Sequence, residues 1–408
     1  MELFNVVSVD EAKEIINNSF DFKLGLEKIS ILQSTGRICF CDIKAKCNIP
    51  EFKRSTVDGF AVNSRDIFGA SEAVPSILQL KGEVLMGKVP PTNIEGGGEC
   101  LYVPTGGMLP ENADAMVMIE YSDKLDENTV LIYSPVAPGE NVIQIGEDVS
   151  TEDLIIRKGQ KLRPYEIGVL ASMGICEVQV YKKIRVAIIS TGDEVVPCEA
   201  KPALGEVRDI NTYLLWSLLI EDGYEPVSYG IIKDDYEVLK RTVDKAFTNC
   251  DIVLISGGSS VGKKDQTLKV IDSYEDGEIL AHGIAVKPGK PTIIGKRGEK
   301  SIFGLPGHPL ACCVIYKILI KDYIDKLQCH SENNYGISAV MSINYHKAKG
   351  REEYLPVAIE DLGNEVIAKP VFGKSGLITV FSRAWGYIKI DKNIEGVKKG
   401  QIVKVYKL

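Results

Sequence analysis

Long apolar runs are absent from this sequence, and no stretch reaches the roughly 20 residues that a membrane-spanning helix needs. The N-terminus, MELFNVVSVDEAKEII, lacks the basic start and apolar core of a secretory signal peptide. The 10 cysteines form no CxxC pair and stand at no zinc-ligand spacing from the 4 histidines. We therefore expect a cytoplasmic protein with reduced thiols and no membrane partner.

An excess of positive charge is also missing. Acidic residues number 56 against 48 Lys and Arg, so the formal net charge is −8. A broad nucleic-acid-binding surface is therefore not expected, and an anionic substrate must be held by local cations. The length of 408 residues predicts two to four domains of ordinary globular composition.

The most distinctive segment is residues 256–265, SGGSSVGKKD, which follows a short apolar run typical of a buried strand. Its glycines allow the backbone to approach a ligand closely, and their amide hydrogens suit an anion. Gly257, Gly262 and Lys263 have P-loop spacing, but Lys264 stands where Ser or Thr would coordinate magnesium. An ordinary P-loop NTPase is therefore disfavoured.

Residues 181–329 alternate apolar strands with helices, which predicts a doubly wound, mostly parallel α/β sheet. Asn211 is expected to cap a helix that runs through Glu221. Ligands of such sheets bind at the carboxyl ends of the strands. Five side chains are expected to project from that edge: Glu194, Asp234, Asp265, Lys287 and Lys290.

These carboxylates and lysines suit a magnesium ion and a phosphorylated ligand, because carboxylates hold the metal while lysines neutralise phosphate oxygens. A plainer interpretation stays open, in which Asp234 and Asp235 only cap the following helix.

The rest of the chain is predicted to form three further parts. Residues 51–149 read as a β-rich domain, with turn-rich loops around Asp58 and Thr105. This domain interrupts an elongated helix and connector domain made of residues 1–50 and 150–180. Residues 330–408 are expected to form a C-terminal β domain, in which Arg351 and Ser375 can reach an anion.

Eight motifs occur in an order that resembles the MoeA/gephyrin family of molybdopterin molybdenumtransferases over nearly the whole chain. They are STVDGFAV, PTGG with PENADAMV, GED at 146–148, STGDE, KDD, SGGSSVGKKD, KPGKP and GLPGHP. The resemblance implies an elongated homodimer with four domains per subunit and a cleft built from both subunits. It implies that molybdate is inserted into adenylated molybdopterin with release of AMP, assisted by Mg²⁺ or Zn²⁺. An upstream adenylyltransferase and downstream molybdoenzymes would be partners.

Carried over motif by motif, the resemblance implies five functional carboxylates: Asp58, Asp148, Glu194, Asp234 and Asp265. The last three are the expected metal ligands. It also places Thr105, Lys287, Pro306, Pro309, Arg351 and Ser375 in the site region. The glycine loop and its neighbours add Gly257, Gly258, Ser259, Lys263, Lys264 and Lys290 as expected substrate-binding residues.

Two residues depart from the family pattern. His308 and Trp385 stand where the family commonly has Asn, which leaves the choice between molybdate and tungstate open. For His308 we favour a structural role or one at the ligand's edge. Three other functions stay open: a molybdopterin adenylyltransferase, a non-catalytic scaffold and a regulatory pterin-binding protein.

Overall fold

The computed structural model describes residues 6–20, 22–95, 97–257, 266–330 and 336–408. Its elements, up to residue 181 and in chain order, are α1 (Val9–Ser19), β1 (Leu26–Ser30), β2 (Ile43–Lys44), β3 (Arg54–Ser55), β4 (Gly59–Val62), β5 (Ser76–Glu83), β6 (Glu99–Val103), β7 (Ala115–Met118), β8 (Ser122–Asp126), β9 (Thr129–Ile132), β10 (Val142–Ile143), β11 (Leu154–Ile156), α2 (Pro164–Ser172) and β12 (Glu177–Tyr181).

From residue 185 to 327 the chain forms β13 (Arg185–Thr191), β14 (Val195–Val196), β15 (Val207–Arg208), α3 (Asn211–Glu221), β16 (Glu225–Ile232), α4 (Tyr236–Asn249), β17 (Ile252–Ser256), α5 (Gln266–Asp272), β18 (Gly277–His282), β19 (Val286–Lys287), β20 (Ile293–Arg297), β21 (Lys300–Leu305), α6 (Pro309–Ile315) and α7 (Lys321–Leu327). A π-helical turn, Tyr316–Ile320, joins α6 to α7. The C-terminal part contains β22 (Ile337–Met341), β23 (Tyr345–His346), β24 (Glu352–Asp361), β25 (Val366–Pro370), α8 (Thr379–Arg383), β26 (Gly386–Ile390), β27 (Gly396–Val397) and β28 (Ile402–Lys407).

Helix α1 begins at a capping box, as its sequence predicts. The Ser8 hydroxyl accepts from the backbone of Glu11 (3.2 Å), and the Glu11 carboxylate accepts from the backbone of Ser8 (2.7 Å). Its apolar face, with Ala12 and Ile16, packs into the core of the α/β sheet. The connector that follows is held by two strand pairs, β1 with β12 and β2 with β11.

The segment predicted to be β-rich forms a six-stranded sheet in the order β7-β4-β6-β5-β9-β8. Strand β4 lies between β6 and β7, and its first residue, Gly59, is fixed by close packing. A Cβ at Gly59 would lie 1.9 Å from the carbonyl oxygen of Val117 in β7, so no side chain fits there. The residue before it, Asp58, is thereby held at the end of the sheet.

The central α/β sheet has the order β16-β13-β17-β21-β20-β18, in which the first four strands are parallel. Alternate residues of β13 enter different cores. Ile188 packs with α3 and α6 on one face, whereas Ile189 packs with α4 and α5 on the other. Helices therefore cover both faces, which confirms the predicted doubly wound fold.

The C-terminal segment is a small closed β structure, because β24 pairs with both β25 and β26. Strand β19, which lies between β18 and β20 in the chain, leaves the central sheet and adds in parallel to β24. The fold class is therefore the predicted α/β multidomain architecture with β-rich inserted and C-terminal parts. The domain bounds themselves stay a prediction. None of the helices among the described residues has the length and apolar character to cross a bilayer.

Candidate functional site

A cavity of about 750 Å³ opens at the carboxyl ends of the parallel strands. Glu194 and Asp234 line it, and they follow β13 and β16, as the sequence predicts. Pro306 and Pro309, which lie after β21, complete another wall. Asp209 is a third acidic lining residue, so we call this space the carboxylate cavity.

The two loops that carry these acids are tied together. Lys233 donates from Nζ to the carbonyl oxygens of Asp193 (2.6 Å) and Val195 (3.1 Å). The backbone N–H of Asp234 donates to Asp193 Oδ1 (3.1 Å). Asp235 instead caps α4 by accepting from the backbone of Val238 (3.0 Å), so the capping interpretation holds for Asp235.

Gly257 is the described residue of the glycine loop, and only glycine fits its position. Its φ is 99°, and a Cβ there would lie 2.3 Å from the carbonyl oxygen of Thr191. Gly257 also lines the carboxylate cavity. The predicted site residues Gly258, Ser259, Lys263, Lys264 and Asp265 lie outside the described residues.

The prediction that Asn211 caps α3 is wrong. The cap residue is Ile210, and the Asp209 carboxylate just before it accepts from the backbone N–H of Thr212 (3.0 Å) in the first turn. Asn211 is 6% exposed, and its Nδ2 donates to Ser256 Oγ (2.6 Å) and to the carbonyl oxygen of Gly307 (2.9 Å). It therefore joins the end of β17 to the loop after β21, in the wall of the carboxylate cavity.

A second cavity, of about 760 Å³, lies where the α/β and C-terminal parts meet. Four of its lining residues are cations and one is a carboxylate: Lys287, Lys290, Arg351, Lys374 and Glu353. We call it the cationic cavity. Its lining therefore carries a net positive charge, which favours a small anion.

The two cavities adjoin, since Pro291, Pro306, His308 and Gly376 line both. His308 and Ser375 are hydrogen bonded through Nδ1 and Oγ (2.8 Å). The backbone N–H of Leu310 donates to the carbonyl oxygen of Ser375 (3.2 Å). The loop before α6 is thereby held against the C-terminal segment, and His308 stands at the junction of the cavities.

Lys287 and Lys290 differ from the sequence expectation in their location. Lys287 belongs to β19, which pairs with β24 instead of ending a strand of the central sheet. Both lysines line the cationic cavity and not the carboxylate cavity. The physical reason is that the chain crosses to the C-terminal part between β18 and β20, which carries the two lysines of the KPGKP motif away from the sheet edge, while Pro291 still lines both cavities.

Three predicted residues line neither of these two cavities: Asp58, Thr105 and Asp148. The first two are paired, because Asp58 Oδ1 accepts from the backbone N–H (2.7 Å) and the hydroxyl (3.1 Å) of Thr105. The negative charge of Asp58 also contributes, after burial, to a raised pKa of the Tyr102 hydroxyl. Asp148 is exposed in the connector, where its backbone N–H donates to Ile49 (3.1 Å).

The donor set of the carboxylate cavity suits a hard cation. Glu194 and Asp234 offer carboxylate oxygens, the ligands that Mg²⁺ prefers, and His308 adds an imidazole, a ligand that suits Zn²⁺. Over the ranges that the structure describes, no three His, Cys, Asp or Glu side chains are grouped to hold a metal. The third expected ligand, Asp265, lies outside those ranges.

Among the site residues that sequence reasoning missed are Asp209 and Asn211 of the carboxylate cavity, and Glu353, Tyr345 and Lys374 of the cationic cavity. Lys374 lies in a glycine-containing loop beside Ser375, which is a usable signal. Glu353 and Tyr345 carry no such signal, because a single carboxylate or phenol in a β strand is usually only part of its surface.

Family models match three consecutive parts of the chain. "MoeA N-terminal region (domain I and II)" matches residues 7–174, "Probable molybdopterin binding domain" matches residues 187–326, and "MoeA C-terminal region (domain IV)" matches residues 338–408. Proteins named molybdopterin molybdenumtransferase are similar along their whole length. The one from Staphylococcus aureus strain Mu50 is 30% identical over 409 residues, which are 99% of this chain and 96% of that protein. The one from Haemophilus influenzae is 28% identical over 404 residues, or 98% of each chain.

Solved structures agree with these matches. A molybdopterin biosynthesis MoeA protein from Pyrococcus horikoshii OT3 superposes with a TM-score of 0.86 at 29% identity, covering 99% of this chain and 100% of that one. Another structure of a Pyrococcus MoeA protein gives a TM-score of 0.83 at 36% identity, with 99% of each chain covered. The chain therefore belongs to the MoeA/gephyrin family of molybdopterin molybdenumtransferases that its motifs predicted, and it is an enzyme of that family.

Proposed function

We propose that this enzyme of molybdenum cofactor biosynthesis inserts molybdate into adenylated molybdopterin and releases AMP. The observation that carries the proposal is the contact between two cavities of opposite character. The carboxylate cavity and the cationic cavity share His308 and Pro306 in their walls. Molybdate is a small dianion, which suits the cationic cavity. The adenylated pterin carries a phosphoanhydride, which suits a cavity whose carboxylates can hold a metal ion.

In this proposal molybdate binds in the cationic cavity. Lys290 and Arg351 neutralise its charge, and Arg351 also offers a fork of N–H donors that matches tetrahedral oxyanions. Ser375, already hydrogen bonded to His308, adds a hydroxyl to the same wall.

The phosphoanhydride of the adenylated pterin binds in the carboxylate cavity, beside Gly257. Glu194 and Asp234, together with Asp265, would hold Mg²⁺, which supplies charge neutralisation for the phosphate oxygens. The chain's own residues position the groups: Lys233 fixes the loops that bear Glu194 and Asp234, and Asn211 fixes the end of β17. AMP then leaves next to the cavity that holds the oxyanion.

We further propose that the working form is a cytoplasmic homodimer. Asp58, Thr105 and Asp148 line neither cavity of their own chain, so they act in this proposal on the cleft of a partner subunit. Coexpressing an Asp58→Ala chain with an Asp265→Ala chain should restore part of the activity, because one cleft of the mixed dimer then keeps both carboxylates. If a verified mixed dimer shows no recovery of activity, the hypothesis of a cleft built from both subunits is refuted.

The direct test is to incubate the pure protein with adenylated molybdopterin, Mg²⁺ and molybdate or tungstate, and to follow AMP. We expect AMP release that depends on the oxyanion. Arg351→Ala should reduce it about a hundredfold, as removal of one electrostatic group from an active site does. Lys349→Ala is the matched control, because Lys349 is exposed, pairs with Glu395 (3.1 Å) and lines neither cavity.

Each outcome of this assay separates the candidate functions. ATP consumption with molybdopterin, without any need for molybdate, would identify an adenylyltransferase that performs the preceding step. Tight binding of the adenylated pterin without AMP release would identify a regulatory or scaffold protein. In the proposed route, an adenylyltransferase supplies the substrate and molybdoenzymes receive the product.

A further inference from the structure

Glu353 is a buried carboxylate in the wall of the cationic cavity. It is 5% exposed, and its Oε1 lies 3.0 Å from the Nζ of Lys287. The hydroxyl of Tyr345 donates to the same oxygen. A buried carboxylate is stable only when paired and hydrogen bonded, and these two groups meet that need.

The pairing is built into the strand register. In the parallel pair of β19 and β24, Lys287 lies opposite Glu353. The lysine comes from the α/β part and the glutamate from the C-terminal part, so their ion pair joins the two walls of the cavity. Tyr345 is held from the other side, since its ring stacks on Phe372, another lining residue, at 6.2 Å.

The ion pair leaves Lys287 able to bind a ligand. Its side chain remains 57% exposed, while that of Glu353 is 7% exposed. An ammonium group has three donors, and the bond to Glu353 uses one of them. Burial, followed by the neighbouring Glu353 carboxylate, raises the pKa of the Tyr345 hydroxyl, so that group stays a donor throughout the neutral range.

We propose that Glu353 is a positioning residue, which holds the ammonium group of Lys287 at the wall of the cationic cavity where the oxyanion binds. This inference rests on the proposed function of that cavity. A free lysine side chain must lose rotamer freedom when it binds a ligand, and Glu353 removes that loss in advance. A carboxylate at this place could instead repel the oxyanion. Positioning of Lys287 raises the affinity for the oxyanion, whereas repulsion lowers it.

The sign is measurable by titration calorimetry of the full-length protein with molybdate and with tungstate. We expect Glu353→Gln to weaken binding about tenfold, which is the scale of the rotamer freedom that a lysine regains. Tighter binding by this variant would overturn the inference and identify Glu353 as a competitor of the oxyanion. Unchanged binding would overturn it as well.

Glu352 provides a matched control on the same strand. It is 8% exposed, pairs with Lys389 (2.9 Å) and accepts from the Tyr354 hydroxyl, so it has the same kinds of partner as Glu353. It does not line the cationic cavity. Glu352→Gln should therefore cost similar stability while leaving oxyanion binding unchanged. Equal weakening by both variants would show a general structural effect and would refute positioning.

A double-mutant cycle tests whether Glu353 acts through Lys287. In a Lys287→Ala background, Glu353→Gln should cause no further weakening, because the lysine to be positioned is gone. A tenfold loss in both backgrounds would overturn the inference. If Glu353→Gln does not fold, Tyr345→Phe replaces it, because this variant keeps both charges and removes only the hydroxyl that donates to Glu353. It should weaken oxyanion binding about threefold. Full affinity in this variant would then count against the inference.

The same titrations separate this inference from the proposed function. If the wild-type protein binds neither molybdate nor tungstate, the assignment of the cavity fails and the inference fails with it. If the wild-type protein binds an oxyanion and Arg351→Ala abolishes that binding while Glu353→Gln does not weaken it, only the inference fails.

Discussion

Replacing Asn211 by Ala removes a buried connection between three segments that surround the carboxylate cavity. The Asn211 amide donates to Ser256 Oγ at 2.6 Å and to the carbonyl oxygen of Gly307 at 2.9 Å. Ser256 ends β17 immediately before the glycine loop, and Gly307 lies in the loop before α6. In the variant, both acceptors lose this donor, and water has little access because Asn211 is 6% exposed.

The expected loss of stability follows from those two bonds. Each neutral hydrogen bond contributes about 0.5–1.5 kcal/mol net, so Asn211→Ala should lower the free energy of unfolding by about 1–3 kcal/mol. The chain has 2 tryptophans, and Trp216 lies in α3 with Asn211. In a Trp385→Phe background, the fluorescence of Trp216 reports unfolding of the α/β part in urea.

Asn249 in the same part of the chain offers the control. Its Nδ2 donates to the carbonyl oxygen of Lys245 (3.1 Å) on the exposed surface of α4. Asn249→Ala should therefore change stability by less than about 0.5 kcal/mol. Equal effects of the two substitutions would refute the role given to Asn211. Loss of AMP release in Asn211→Ala beyond its loss of folded protein would show that the cavity also depends on this connection.

Three further predictions concern other parts of the chain. Burial raises the pKa of the Asp222 carboxyl, so the folded state holds this proton more tightly than the unfolded state. The free energy of unfolding should therefore fall as pH rises from the ordinary carboxyl pKa through the raised one. Asp222→Asn should remove this fall, as measured by urea unfolding at a series of pH values across that range. Gly59→Ala should destabilise the protein by about 3 kcal/mol or more, because its Cβ would meet the carbonyl oxygen of Val117. Gly168→Ala is the control, since Gly168 lies in open space on α2, and it should stabilise the protein by up to about 1 kcal/mol. Thermal unfolding of both variants measures these changes. Asp265→Asn should fold normally, but its activity should depend less on magnesium and its AMP release should be about a hundredfold slower. If AMP is released at the wild-type rate at limiting magnesium, Asp265 is not a metal ligand.

Local patterns predicted the elements that local physics determines. The capping box at Ser8 and Glu11 starts α1 where expected, and the apolar run before the glycine loop is the buried strand β17. The alternation of strands and helices then places Glu194 and Asp234 at one edge, because parallel strands share the direction of their carboxyl ends. This part of the site was predictable before any contact was known.

Contacts between distant segments were not predictable in the same way. Asn211 has the propensity of a helix cap, but it lies inside the first turn of α3, where the Asp209 carboxylate accepts from Thr212 and the Asn211 amide donates to Ser256 and Gly307. Likewise, Lys287 lies in a short polar segment whose partner strand is remote in sequence. Propensity and periodicity describe neighbours along the chain, so neither can identify such partners.

The loop that carries Pro306 and His308 explains how the two cavities form one site. On one side, the carbonyl oxygen of Gly307 accepts from Asn211 of the α/β part. On the other side, His308 is hydrogen bonded to Ser375 of the C-terminal part. The loop thus has anchors in both parts, and its position sets a wall of each cavity at once. A displacement of either part would change the spacing between oxyanion and phosphoanhydride, and a shift of about 1 Å in such spacing is enough to slow a reaction about a hundredfold. These two anchors are therefore as important to the proposed chemistry as the charged residues that line the cavities.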